Sequence, residues 1–305
     1  MLNRRTLLAT AAMTAATSAM AAPLRQDWYD ASRARTVPVL VRLPVASGPA
    51  PVVIVSHGLG GSRDGLAYLG EALAAAGYVV VHLQHVGSDA TIWQGAADIR
   101  GAMLQAVTNP GAALDRLYDV AFALDELARS PGLARLVDLE RAAIAGHSFG
   151  AWTASHMLGQ RLPLPGFGPP LPDPRLLAGV TFSPIPPIGI APEAAYGGVA
   201  APMLHVTGTE DRGTQAPDWR ARTAGFRLSP TPGVLVVLAG ANHAAFAGEP
   251  AAGAYWNNPT YHARAARLAV LFLDTVLLGS TTAQTALLNG QGLAPDDRIE
   301  AKGFE

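Results

Sequence analysis

Along the chain, short uninterrupted apolar runs alternate with stretches in which apolar positions recur every three or four residues. Residues 51–55, Pro-Val-Val-Ile-Val, have the length and β-branched content of a strand buried on both faces. Residues 36–43 read as an earlier strand that ends at Pro44, and 78–83 as the next buried one. Between them, residues 66–76 carry helical spacing and stop at Gly77, a C-cap. Residues 84–110 have no strong period and predict a long excursion with one short helix. A helix follows over 112–128, with Leu114, Leu117, Ala121, Leu124 and Leu127 on one face and Pro131-Gly132 ending it. The strand at 141–145 runs directly into a helix reaching about residue 160. After a proline-rich loop at 162–174, strands are predicted at 178–182, 203–206 and 234–238, then a helix over about 261–278. The polar tail after Gly279 is expected to be loosely attached. This alternation predicts an α/β fold, a mostly parallel central sheet with helices on both faces. No repeat or low-complexity linker divides it, so 22–305 reads as one domain.

The first 21 residues break the pattern. Met1-Leu2-Asn3-Arg4-Arg5 opens a stretch rich in Ala, Thr and Met, free of acidic residues, that closes on Ala19-Met20-Ala21, a small-x-small cleavage site. This reads as a bacterial export signal, and the Arg4-Arg5 pair resembles a twin-arginine leader, which makes the expected location periplasmic or secreted.

Composition narrows the chemistry. The chain has 305 residues, 50% hydrophobic and 15% charged, with 22 Lys+Arg against 23 Asp+Glu. That balance supplies no basic surplus for nucleic acid. The absence of Cys removes disulfides, thiol nucleophiles and thiolate metal sites, and Lys302 is the only lysine, which removes a Schiff-base or P-loop lysine. Mean hydropathy is +0.22, yet beyond the leader no run approaches the roughly 18 apolar residues needed to span a bilayer, so no stable membrane insertion is expected.

Gly146-His147-Ser148-Phe149-Gly150 follows a predicted buried strand and opens a predicted helix. Five letters alone are weak, but that context is the one a nucleophile elbow requires. Ser148 is the candidate nucleophile. A serine hydroxyl needs a base and a carboxylate that orients the base, in the order Ser, acid, His for this arrangement. His243 lies in a loop directly after the strand at 234–238, whereas His262 falls in the last helix. Asp211 leaves the strand at 203–206 and is the candidate acid; Glu210 competes with it, and Asp218 suits a helix cap. Backbone donors for an oxyanion are expected from Phe149, directly after the nucleophile, and from Leu59, with Gly60 as the alternative, in Ser56-His57-Gly58-Leu59-Gly60-Gly61. His57 precedes the nucleophile and is read as a brace for that turn. His82, His85 and Asp89 are not read as a metal site, because residues three apart on a strand face opposite sides. Trp93 and Phe246, in loops near the expected active edge, are candidate substrate-pocket residues. The chemistry calls for no metal or organic cofactor.

The turn at 56–61 and the elbow at 146–150 resemble those of the α/β-hydrolase superfamily. Within it they are most similar to the branch that contains plasma-type platelet-activating-factor acetylhydrolases and bacterial proteins labelled predicted dienelactone hydrolases. The resemblance implies the α/β-hydrolase fold, Ser148 as nucleophile, and Leu59 and Phe149 as oxyanion donors. It also shows a departure. The plasma-type enzyme takes its acid from the strand after the elbow helix, where this chain reads Thr181-Phe182-Ser183-Pro184, so the acid is expected one strand later, as in cutinase-like polyester hydrolases. Dienelactone hydrolase proper uses a cysteine nucleophile, which this chain lacks.

The expected function is a serine carboxylesterase acting on a small-molecule or on a lipid or polyester substrate through an acyl-enzyme. The alternatives are a cutinase-like polyester or lipid hydrolase with an open cleft, a phospholipid esterase like the platelet-activating-factor acetylhydrolases, and a non-catalytic binding protein on a hydrolase scaffold. Acyl and alcohol specificity and oligomeric state stay open.

Overall fold

The computed structural model describes residues 21–163, 166–213, 216–249 and 258–304. The predicted leader thus lies outside the described residues except for Ala21.

The buried apolar runs become the middle of a sheet. In chain order the strands are β1 (Leu24–Asp30), β2 (Arg35–Arg42), β3 (Ala50–Ser56), β4 (Val79–Leu83), β5 (Val137–His147), β6 (Leu176–Phe182), β7 (Met203–Glu210), β8 (Gly233–Asn242) and β9 (Arg298–Lys302). They hydrogen-bond in the order β1-β2-β4-β3-β5-β6-β7-β8-β9. The strands from β4 through β8 in that order pair in parallel, while β1, β2 and β9 are antiparallel additions at the two edges.

Alternate residues of each central strand enter opposite layers, as the two-residue period of a strand demands. Val53 and Val55 face one core with α1 (Ala67–Ala75) and α7 (Pro259–Leu278); Val52 and Ile54 face the other, with α3 (Pro110–Arg129) and α4 (Phe149–Met157). Between β4 and α3, the predicted excursion holds a 3₁₀ turn at Ala90–Ile92 and one helix, α2 (Ile99–Val107). Two short helices, α5 (Pro192–Tyr196) and α6 (Ala224–Leu228), precede β7 and β8. Among the described residues no helix is long and apolar enough to cross a membrane.

The tail after Gly279 corrects the expectation of loose attachment. Its helix α8 (Thr281–Leu288) buries Ala283 and Leu287 in the α1/α7 core, and β9 pairs antiparallel with β8 from Gly233↔Lys302 to Val237↔Arg298. A polar sequence suffices there because an edge strand needs backbone pairing more than apolar side chains. Asp297 anchors the approach, accepting from the amides of Ala239 and Ala294 and from Arg264 Nη1.

Candidate active site

In a parallel sheet the carboxyl ends of the strands lie at one edge, and the loops leaving them meet. The ends of β3, β5, β7 and β8 bring the oxyanion-turn candidate, Ser148, Asp211 and His243 to that edge.

Ser148 occupies alone the turn between β5 and α4, with φ 54° and ψ −112°. Positive φ is strained for a residue with a Cβ, and here the Ser148 amide is fastened to the Phe182 carbonyl at 2.9 Å. The two flanking glycines follow from close approach. A Cβ on Gly146 would overlap the Gly150 carbonyl, and one on Gly150 would overlap the Ser56 carbonyl.

The structure brings Ser148, His243 and Asp211 into one chain of hydrogen bonds. Ser148 Oγ lies 2.9 Å from His243 Nε2, and His243 Nδ1 lies 2.9 Å from Asp211 Oδ1. His243 opens a 3₁₀ turn (His243–Phe246) that Asn242 caps by accepting from the Ala245 amide at 3.0 Å. Its carbonyl accepts a hydrogen bond from His147 Nε2 at 2.8 Å. Burial, reinforced by the neighbouring His243, pushes His147 down to about 3, so it serves that bond as a neutral ring.

Asp211 is fully buried at the end of β7. Its Oδ2 accepts from Thr207 Oγ1 at 2.8 Å, and Arg222 Nε lies 2.8 Å from Oδ1. Burial opposes ionisation of the carboxyl, but the hydrogen bond from His243 and the charges of His243 and Arg222 outweigh it and hold the group below its ordinary value. Glu210 is exposed and turned toward Arg212 at 3.3 Å, and Asp218 caps a short 3₁₀ helix by accepting from the Arg220 amide. Neither approaches His243 as Asp211 does.

The turn at 57–61 is organised by His57. Its Nε2 accepts from the His85 amide at 3.1 Å, which leaves the ring proton on Nδ1, and Nδ1 donates to the Gly58 carbonyl at 2.6 Å. Gly61 N–H donates to the same oxygen at 3.2 Å. Because the peptide is trans, the Leu59 N–H on that plane points the opposite way, and no described group accepts it. Burial and the Arg116 charge hold His57 well below the usual histidine range, so the brace stays neutral. The Gly60 N–H donates to the Ser88 carbonyl at 2.9 Å, which leaves Leu59 rather than Gly60 with an unused amide. Phe149 is the first residue of α4, and its amide has no carbonyl one turn earlier within the helix.

Leu59, Ser148 and His243 line a cleft of about 390 Å³, together with Trp93, Ile99, Met103 and Glu249. Trp93 stands in the wall of this cleft: its Nε1 donates to the Gly60 carbonyl at 2.7 Å, and a Cβ on Gly60 would meet the indole at 2.9 Å. Phe246 does not. It is fully buried beneath the site, stacked on Phe182 at 5.9 Å between ring centres, because the 3₁₀ turn after His243 directs it into the sheet rather than toward solvent.

His82 bonds the Gly65 carbonyl through Nδ1, whereas His85 bridges Ser56 Oγ and Asp119. Among the described residues no group of three or more His, Asp or Glu side chains is arranged to hold a metal ion.

Sequence reasoning passed over Glu249, Ile99, Met103 and Arg116. Glu249 accepts from both the amide and hydroxyl of Ser62 at 2.9 Å, and burial raises its pKa. Its loop carries no motif that could have singled it out. Arg116 did leave a signal, since it shares a helix face with Ala112, Val120, Ala123 and Leu127, where a charge is out of place.

Residues 41–103, from the end of β2 through the turn at 57–61 into α2, match the family model of platelet-activating factor acetylhydrolase, isoform II. A search of curated proteins finds no match. The mostly parallel nine-stranded sheet is that of an α/β-hydrolase fold, and over residues 41–103 the chain is similar to the platelet-activating factor acetylhydrolase family.

Proposed function

We propose that the protein is a serine hydrolase that cleaves carboxylic esters through an acyl-enzyme. The observation that carries this reading is the unbroken relay from Ser148 Oγ through His243 to buried Asp211, set on a strained strand-to-helix turn. Ser148 Oγ attacks the ester carbonyl while His243 Nε2 takes its proton. Asp211 holds the imidazole with Nδ1 protonated and stabilises the imidazolium. The oxyanion is received by the Leu59 and Phe149 amides. Collapse expels the alcohol, which His243 protonates. Water, activated by the same imidazole, then releases the acid. The match at 41–103 to a family named for acetyl-ester hydrolysis supports the ester as substrate class.

The test is hydrolysis of p-nitrophenyl acetate and labelling by a fluorophosphonate. Both are expected for the wild type and absent in Ser148→Ala. Labelling that survives this substitution overturns the assignment.

One observation favours an aggregated ester, a lipid or polymer surface, as the physiological form. Helix α2 exposes Ile99 and Leu104, 54% and 63% accessible, and Ile99 also lines the cleft. A chain-length panel of esters run beside a polyester film separates this reading from a soluble short ester. Export is supported by the Arg4-Arg5 leader and the Ala19-Met20-Ala21 site; replacing both arginines with lysine should strand the protein in the cytoplasm of a bacterial host.

A further inference from the structure

Arg116 is fully buried and, by side-chain volume, heads the largest residues so enclosed. Its guanidinium makes four hydrogen bonds, all to neutral groups. Nε donates to Thr153 Oγ1 at 3.0 Å, Nη1 to Ser88 Oγ at 2.8 Å, and Nη2 to Ser56 Oγ at 3.0 Å and to the His57 carbonyl. The guanidinium carbon also stands 4.5 Å from the centre of the Phe149 ring. Among the described residues no carboxylate lies within ion-pair distance of it; Asp119, the nearest in influence, is bonded to Arg33, Arg35 and His85. Burial accordingly weakens its hold on the proton, bringing the group down to about 9. A buried cation without a bonded counter-charge is costly, and an apolar side chain would fill the space more cheaply.

The contacts share one destination. Ser56 and His57 lead into the turn that carries the Leu59 amide. Ser88, gripped by Nη1, is the residue whose carbonyl fastens Gly60 in that turn. Phe149 carries the other unused amide, and Thr153 lies one helical turn beyond it and accepts from Arg116 while donating to the Phe149 carbonyl. A single guanidinium therefore ties together the two segments from which an oxyanion would be bound.

We propose that Arg116 is a positioning residue for ester hydrolysis, fixing the spacing of the Leu59 and Phe149 amides and setting a positive charge with no bonded counter-ion behind the oxyanion they receive. This inference rests on the reading of Ser148 as the nucleophile. Its action is selective for the transition state, because the negative charge it favours develops only there.

The experiment compares wild type, Arg116→Met and Arg116→Lys on p-nitrophenyl acetate, with active sites counted by fluorophosphonate labelling. The expected result for Arg116→Met is a loss of about 10²-fold in kcat per labelled site, with KM changed less than about threefold. Inhibition by phenylboronic acid, whose tetrahedral serine adduct carries the same charge, should weaken in parallel. Arg116→Lys should recover roughly tenfold of the loss through its charge. A purely structural role would lower the labelled fraction and Tm but leave kcat per site unchanged, and that outcome overturns the proposal. Should Arg116→Met not fold, the Ser88→Ala/Thr153→Val double variant removes two acceptors and keeps the guanidinium. It is expected to lose about tenfold in kcat at constant KM, and an unchanged kcat per site is equally fatal. Wild-type protein that neither turns over nor labels at Ser148 defeats the ester reading and this inference together, whereas full activity in the Arg116 variants defeats this inference alone.

Discussion

Arg222 Nε stands 2.8 Å from Asp211 Oδ1, the same oxygen that faces His243 Nδ1 at 2.9 Å. That oxygen therefore answers two partners, the His243 imidazole and a guanidinium that is itself 5% exposed and also fastens the Ser183 and Pro184 carbonyls. Removing the carboxylate charge has two separable effects.

Asp211→Asn should lower kcat on p-nitrophenyl acetate by about 10⁴-fold, because the amide favours the wrong imidazole tautomer. It should also destabilise the protein by about 3–5 kcal/mol in urea unfolding, since Arg222 is left buried without its counter-charge. Glu210→Gln, on the exposed neighbour, should change neither quantity. A crippled Glu210→Gln beside a near-normal Asp211→Asn would transfer the role to Glu210.

Phe246 and Trp93 should part company on mutation. Phe246→Ala opens a cavity in the core beside Phe182 and is expected to cost about 3–5 kcal/mol of stability, with the order of preference among ester chain lengths retained. Trp93→Ala removes a wall of the cleft; it should shift the preferred acyl or alcohol length upward with a smaller effect on unfolding. An ester panel and a denaturant titration on both variants make the comparison, and a Trp93→Ala protein with an unaltered preference would remove it from the substrate site.

Acid should unfold the protein through its histidines. Burial is the main cause that holds His82, His147 and His205 down to about 3 and His85 and His156 to about 4, against an ordinary value of 6.5. These rings are neutral when folded and take up protons when the chain unfolds between those values and 6.5. Stability is therefore complete above about pH 6.5 and falls as the pH drops toward 4, by about 1.4 kcal/mol per pH unit for each such ring. Urea unfolding of wild type and His205→Gln at pH 7 and pH 5 measures it. The variant should show the shallower slope, and equal slopes would mean that His205 is not held neutral.

A chain ending at Gly279 should lose α8 and β9 and leave β8, still paired with β7, as an open edge strand. Expected consequences are a Tm lower by several degrees and association at micromolar concentration through the bared edge. Light scattering and a thermal melt read both effects. A monomeric truncation with wild-type Tm would restore the picture of a loose tail.

What could be read from the residues divides by the range of the forces involved. The parallel strands were legible because burial on both faces leaves continuous apolar runs such as Val52 to Val55, and the elbow was legible because its glycines answer to local backbone collisions. The edge strands β1 and β9 were not, since Leu24–Asp30 and Arg298–Lys302 are half polar and owe their form to a partner far away in sequence. Asp211 and His243 could be placed from their positions after strands. The inward turn of Phe246 depended on the single 3₁₀ turn after His243, and no spacing rule encodes that direction. Arg116 was visible as a charge on an apolar helix face, but its partners come from three other segments and only the folded chain assembles them.

Lys302, the only lysine in the chain, pairs with Gly233 at the start of β8, the end of that strand opposite His243. Its ammonium donates to the Ser229 carbonyl and rests 5.4 Å from the centre of the Phe226 ring. A solid support that couples through lysine amines thus has one side chain to react with, and it lies away from the catalytic edge. Molecules held through that side chain would present the cleft to the liquid.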